Sequence, residues 1–168
     1  KILSLKFISL LIIFILSLWQ CRFLLLPGFY TFSDETHIAN LYEMIRTLRL
    51  GQFPPRWAPD FSYNFGHPFF NFYYLLPYLI GSIFHLIFGL NLIWSLKLVF
   101  LTATLGSGLT MYFLSLKLFH RSHIALACAI IYLFTPYRAV DLYVRGAVGE
   151  IMAFAFLPLA VLALLRLI

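Results

Sequence analysis

The run from residue 92 to residue 119 carries two charges, Lys97 and Lys117, and is otherwise almost continuously apolar. A helix needs roughly 20 such residues to cross a bilayer core of about 30 Å. Comparable stretches cover residues 5–26, 68–90 and 147–168, and a shorter one covers 124–137. Of the 168 residues, 62% are apolar and 11% charged, against roughly 25% charged in a soluble domain. A folded soluble chain of this length leaves about a third of its surface wet, too much to hide such a composition. The class is therefore an all-α integral membrane protein, and a soluble enzyme, a nucleic-acid module and a disulfide scaffold are poor readings. Cys21 and Cys128 lie in apolar stretches with no CxxC pairing and read as core or lipid-facing residues.

Residues 5–26 exceed the apolar length of a cleaved signal and no small-x-small site follows, so they read as a retained first anchor. Lys1 in place of Met, and an apolar run still open at Ile168, read as the edges of a fragment. Residues 27–91 form a long first outer loop. Within it, 35–50 place Ile38, Leu41, Tyr42, Ile45 and Leu48 at helical spacing, with Glu35, His37, Asn40, Glu43, Arg46 and Arg49 largely elsewhere on the wheel. This predicts an amphipathic helix lying in the membrane surface. Ser33 and Asp34 stand at its expected N-cap, and Gly51 and the prolines at 54, 55 and 59 end it.

Charge placement depends on which segments cross. With five crossings, seven cations fall outside and five inside, against the positive-inside rule. If 68–90 instead dips into the outer interface and returns, Lys1, Lys6, Lys117, Arg121 and Arg166 are inside and all the acids are outside. Phe69, Phe70, Phe72, Tyr73, Tyr74 and Tyr78 suit the headgroup region. Four crossings plus interfacial helices is the preferred arrangement and five the alternative. Ala103, Gly106, Gly108 and the Ala125/Ala129 pair are expected to let helices approach closely.

Ionisable groups beside apolar segments are costly and so are functional suspects. In the preferred arrangement Asp34 and Glu35, Lys97, and Arg138, Asp141, Arg145 and Glu150 all lie toward the outer face. Cations there suit a lipid-linked phosphate, and a carboxylate can accept a hydroxyl proton or hold a divalent metal ion. Each residue also has a plain structural role open to it. Asp34 can cap a helix, Glu35 can favour a helix dipole, and Lys97 can snorkel. Arg138 with Asp141 and Arg145 with Glu150 can be ion pairs. His37 is a weak metal-ligand candidate beside Asp34, and His120 and His123 read as a solvated turn.

Ser33-Asp34-Glu35-Thr36-His37, the helix after it, Gly51-Gln52-Phe53-Pro54 and the Pro-aromatic run together resemble the first outer loop of the GT-C superfamily of polytopic glycosyltransferases. Protein O-mannosyltransferases and aminoarabinose transferases carry a similar Asp-Glu. Asn64-Phe65-Gly66-His67-Pro68-Phe69-Phe70-Asn71-Phe72-Tyr73 and the segment from Pro136 through Arg138, Asp141 and Arg145 to Glu150 resemble prokaryotic membrane proteins labelled as related to 6-pyruvoyl-tetrahydropterin synthase. That label is no guide to activity, since the synthase is a soluble zinc enzyme and this composition excludes its fold. The GT-C resemblance implies a multi-pass helical bundle in a prokaryotic cytoplasmic membrane. It further implies a polyprenyl-phosphate-linked sugar as donor and transfer on the outer face. Asp34 then matches the catalytic or metal-binding acid and Glu35 its neighbour. Lys97 stands where a phosphate-binding Arg is found in the mannosyltransferases, and Asp141 or Glu150 matches a second outer-loop acid. Membrane lipid is the other expected partner, and no nucleic acid is expected. A transporter or lipid flippase and a non-catalytic scaffold are the rival classes.

Overall fold

The computed structural model describes residues 2–28 and 33–167; Lys1, Ile168 and residues 29–32 lie outside the described residues, and with them the inner-side placement of Lys1. The elements are α1 (Ile2–Gln20), α2 (His37–Arg49), a 3-10 turn (Phe69–Asn71), α3 (Leu76–Phe88), α4 (Leu92–Phe119), α5 (Ser122–Leu133), α6 (Pro136–Val140), a π-helical turn (Asp141–Arg145) and α7 (Val148–Leu167). No strand occurs among the described residues; Ala58 and His67 form an isolated antiparallel bridge. The chain is all-helical. Two helices, α4 and α7, are long and apolar enough to cross a membrane, and a third span is possible if α5 and the segment Pro136–Arg145 count as one, bent by 46°. The described apolar part of α1, Leu5–Gln20, and α3 are shorter.

The chain divides into two compact units, one of Lys1–Ser33 with Phe100–Ile168 and one of Asp34–Val99; the residues of α4 are shared between them. In the first unit, Ile13 of α1, Tyr112 of α4 and Ala125, Ala129 and Leu133 of α5 form a buried cluster. Ala125 and Ala129 are fully buried, the close approach expected of small residues four apart. Ser122, at the start of α5, is hydrogen-bonded to both Ser9 (3.1 Å) and Tyr112 (2.8 Å), which joins three helices through hydroxyls. Regular helix in α1 stops at Gln20, short of residue 26, and turns closed by Cys21 N–H to Ser17 O and Leu25 N–H to Cys21 O carry the chain on.

In the first unit, Gly108 lies where helices approach closely. A Cβ there would lie 2.9 Å from Ile13 Cγ2 and 3.0 Å from Leu133 Cδ1, whereas one at Gly106 would meet Ala155 Cβ at 3.4 Å. Gly108→Val is therefore expected to destabilise the unit by about 1–3 kcal/mol through overpacking. Gly106→Ala should be near neutral. Paired thermal melts in detergent check this, and equal melting temperatures for both variants would contradict the packing account.

The stretch 124–137 does not form one helix. Pro136 disfavours helical backbone at the preceding residue, and Thr135 is extended at φ −58°, ψ 130°. A second proline, Pro158, sits inside α7 and has no N–H for the carbonyl of Phe154. Tyr132 Oη of α5 donates to that carbonyl at 2.9 Å and supplies the missing bond.

In the second unit, α2 spans His37–Arg49 with Thr36 as N-cap and no side-chain cap bond, so the expected capping by Ser33 or Asp34 is not what starts this helix. Leu41 and Ile45 are buried as the wheel suggests, but His37, Asn40, Glu43 and Thr47 are buried with them and Met44, while Tyr42 is exposed. Tertiary partners explain the wider buried side. Tyr78 of α3 is hydrogen-bonded to His37 Nδ1 (2.8 Å) and to Asn40 Nδ2 (3.1 Å). Thr47 Oγ1 donates to Trp57 O (2.8 Å), and Glu43 Oε2 accepts Asp60 N–H (3.1 Å). Gly81 lets α3 close on α2, since a Cβ there would lie 2.8 Å from Leu41 Cδ1. The aromatic run stacks in series, Phe69 on Tyr73 (4.7 Å) and Tyr74 on Tyr78 (5.7 Å).

Burial of Glu43, 1% exposed, raises its carboxyl above the ordinary 4.5. The folded state then holds that proton more tightly than the unfolded state does. Stability should rise as pH falls from neutral through the raised value, with the gain complete below about the ordinary one. Glu43→Gln should flatten this slope in melts between pH 7 and pH 4.5; an unchanged slope would assign it to other groups.

Candidate functional site

The residues singled out from the sequence divide between the units. Asp34, Glu35, His37 and Lys97 belong to one, and Arg138, Asp141, Arg145 and Glu150 to the other. Within its unit, the second set is brought together by the break that follows α5. Pro136 starts α6, the chain passes into the π-helical turn, Gly146 reverses it with φ +67°, and α7 begins at Val148. Asp141 and Arg145 are the first and last residues of the π-helical turn, and Arg145 Nη1 donates to Asp141 Oδ1 at 2.8 Å. Such turns are uncommon and recur at functional positions.

Arg145 also grips Glu150 with both terminal nitrogens, Nη1 to Oε2 at 2.9 Å and Nη2 to Oε1 at 2.5 Å. This bidentate geometry is the strong form of the Arg–carboxylate contact. Tyr137 Oη donates to Glu150 Oε2 (2.6 Å) and accepts from Arg145 Nη1 (2.9 Å). Glu150 lies in the first turn of α7, where the helix dipole favours its charge. The sequence spacing suggested Arg145 with Glu150, and that pair forms. It also suggested Arg138 with Asp141, but Asp141 pairs with Arg145 instead.

Arg138 is 2% exposed and Asp141 is fully buried. The guanidinium carbon of Arg138 lies 4.8 Å from the ring centroid of Phe154 and 5.5 Å from that of Tyr132. Aromatic faces attract the cation, yet Nε and Nη1 have no hydrogen-bond partner, and neither does Asp141 Oδ2. Buried polar atoms left in this state are rare and costly. Gln20 adds a fourth such atom. Its Nε2 donates to Leu133 O (2.6 Å), its carbonyl accepts from Tyr143 Oη, and its Oε1 is unpartnered. Sequence reading passed over Gln20, Tyr132 and Tyr137. A polar side chain at the end of an apolar helix and tyrosines beside a proline break were the available signals.

In the other unit, Asp34 and Glu35 are exposed. His37 is buried against Tyr78 and ties α2 to α3. No group of three or more His, Cys, Asp or Glu side chains placed to hold a metal ion occurs among the described residues. Lys97 is buried in α4 with Nζ 4.9 Å from the ring centroid of Trp94, three residues earlier. The first unit also includes Ser33, whose N–H donates to Val144 O in the π-helical turn at 3.0 Å.

No protein-family model, curated protein or solved structure matches this chain.

Proposed function

We propose that the chain is part of a membrane glycosyltransferase that moves a sugar from a polyprenyl-phosphate donor to an acceptor hydroxyl on the outer face of a prokaryotic cytoplasmic membrane. The observation that carries this reading is Arg138, a buried guanidinium with two unpartnered nitrogens at a break between apolar helices. Charges are excluded from such places unless they have a use, and planar N–H donors match phosphate oxygens. Four segments cross in this reading: α1 with the turns after it, α4, α5 with α6, and α7. Residues 68–90 lie in the outer interface, consistent with the 13 residues of α3, about 20 Å at 1.5 Å per residue.

In the proposed step the acceptor oxygen forms a bond to the anomeric carbon as the bond from that carbon to the donor phosphate oxygen breaks. The electron pair leaves with the polyprenyl phosphate, and the acceptor proton passes to the carboxylate of Asp34. Arg138 is assigned to the phosphate, where charge builds as the bond breaks. Arg145 holds Glu150 and Asp141 in place, and Glu35 supports Asp34.

The test is complementation. Cells lacking the gene should regain incorporation of labelled sugar into surface material when the intact protein is restored, and no difference would remove the proposal. A lipid flippase is a second reading favoured by one specific feature, the 46° bend at the α5–α6 break beside buried Arg138 and Asp141, because discontinuous helices line transport routes.

A further inference from the structure

The second unit contains a cavity that sugar transfer does not use. Tyr42, Ile45, Arg46 and Arg49 of α2 recur at helical spacing and line one side, with His85 of α3 and Leu92, the first residue of α4, opposite; the volume is about 230 Å3. A second cavity of about 460 Å3 shares His85 and Leu92 and is lined further by Ile38, Asn91 and Ile93. The first is edged by cations and the second is mostly apolar.

His85 is fixed at their junction. The turn at Gly89 (φ +68°) reverses α3 into α4, and His85 Nδ1 donates to Leu90 O at 2.7 Å. A carbonyl only accepts, so the proton is on Nδ1, and in the neutral ring Nε2 faces Arg49 Nη2 as an acceptor at 3.5 Å. Arg46 is committed to Asp60. Arg49 is exposed and forms no ion pair with a carboxylate among the described residues. A positive slot that shares His85 and Leu92 with an apolar trough has the polarity of one class of ligand.

We propose that this double cavity binds an anionic amphiphile, its phosphate or carboxylate head on Arg49, which His85 Nε2 faces as an acceptor, and its chain along Ile38, Leu92 and Ile93. The site is independent of the sugar-transfer reading and stands or falls separately from it.

The test uses the intact protein in detergent, titrated with dioleoyl phosphatidic acid. Dioleoylglycerol supplies the chains without the anion, and inorganic phosphate supplies the anion without the chains. Phosphatidic acid should bind at least tenfold more tightly than either. Arg49→Gln should weaken it about tenfold without shifting the melting temperature, because Arg49 is exposed and its contact with His85 is a long one of 3.5 Å. Ile38→Asn should weaken the lipid by a similar factor. Arg56→Gln removes an exposed cation outside the cavity and should change nothing. Equal binding by wild type and Arg49→Gln would overturn the proposal. So would an equal loss with Arg56→Gln, which would mean diffuse attraction, or inorganic phosphate binding as tightly as the lipid.

Discussion

Asp34→Asn is expected to lower sugar transfer to surface material about 10²–10⁴-fold while leaving protein abundance unchanged. The magnitude is that of losing a general base. Asn fills the same space but takes no proton at neutral pH. The fold gives little reason for a stability effect, since α2 starts at His37 with Thr36 as N-cap and Asp34 is exposed. Abundance by immunoblot and transfer by labelled-sugar incorporation separate the two effects. Transfer at the wild-type rate, with normal abundance, would remove Asp34 from the chemistry.

Arg138→Met is expected to have an equally large effect on transfer, about 10²-fold or more, with the opposite relation to stability. Met keeps most of the side-chain volume between Tyr132 and Phe154 and removes a buried charge with two unpartnered nitrogens. Replacing buried ionic groups by apolar ones of similar volume is often neutral or stabilising by about 1–4 kcal/mol. The variant should therefore melt at or above the wild-type temperature while losing activity. Arg138→Ala leaves a cavity as well and should cost about 2–5 kcal/mol. If Arg138→Met instead unfolds the protein, the guanidinium is a structural element and its assignment to the donor phosphate fails.

Much of the helical layout was readable from residue order. The long apolar run of α4 and the stop of α2 before Gly51 follow from apolar periodicity and from glycine placement. What escaped depends on partners distant in the chain. His37, Asn40 and Glu43 looked like a wet helix face because nothing local reveals that Tyr78 and the backbone at Asp60 would meet them. Asp141 looked like the partner of Arg138 at i and i+3, but it pairs with Arg145 at i and i+4, and nothing local decides between the two spacings. Tyr132 carries no motif; its role comes from a proline in another helix that leaves the Phe154 carbonyl without its usual donor. The charged residues at 138, 141, 145 and 150 were visible as a costly cluster, but the division of labour among them was not.

The most direct measurement is transfer by the purified full-length protein in liposomes loaded with a labelled polyprenyl-phosphate sugar and an acceptor. The account predicts that label moves covalently from lipid to acceptor, and that Asp34→Asn stops this without lowering the amount of protein inserted. Intact donor crossing between leaflets with no transferred label would contradict it and establish lipid transport instead.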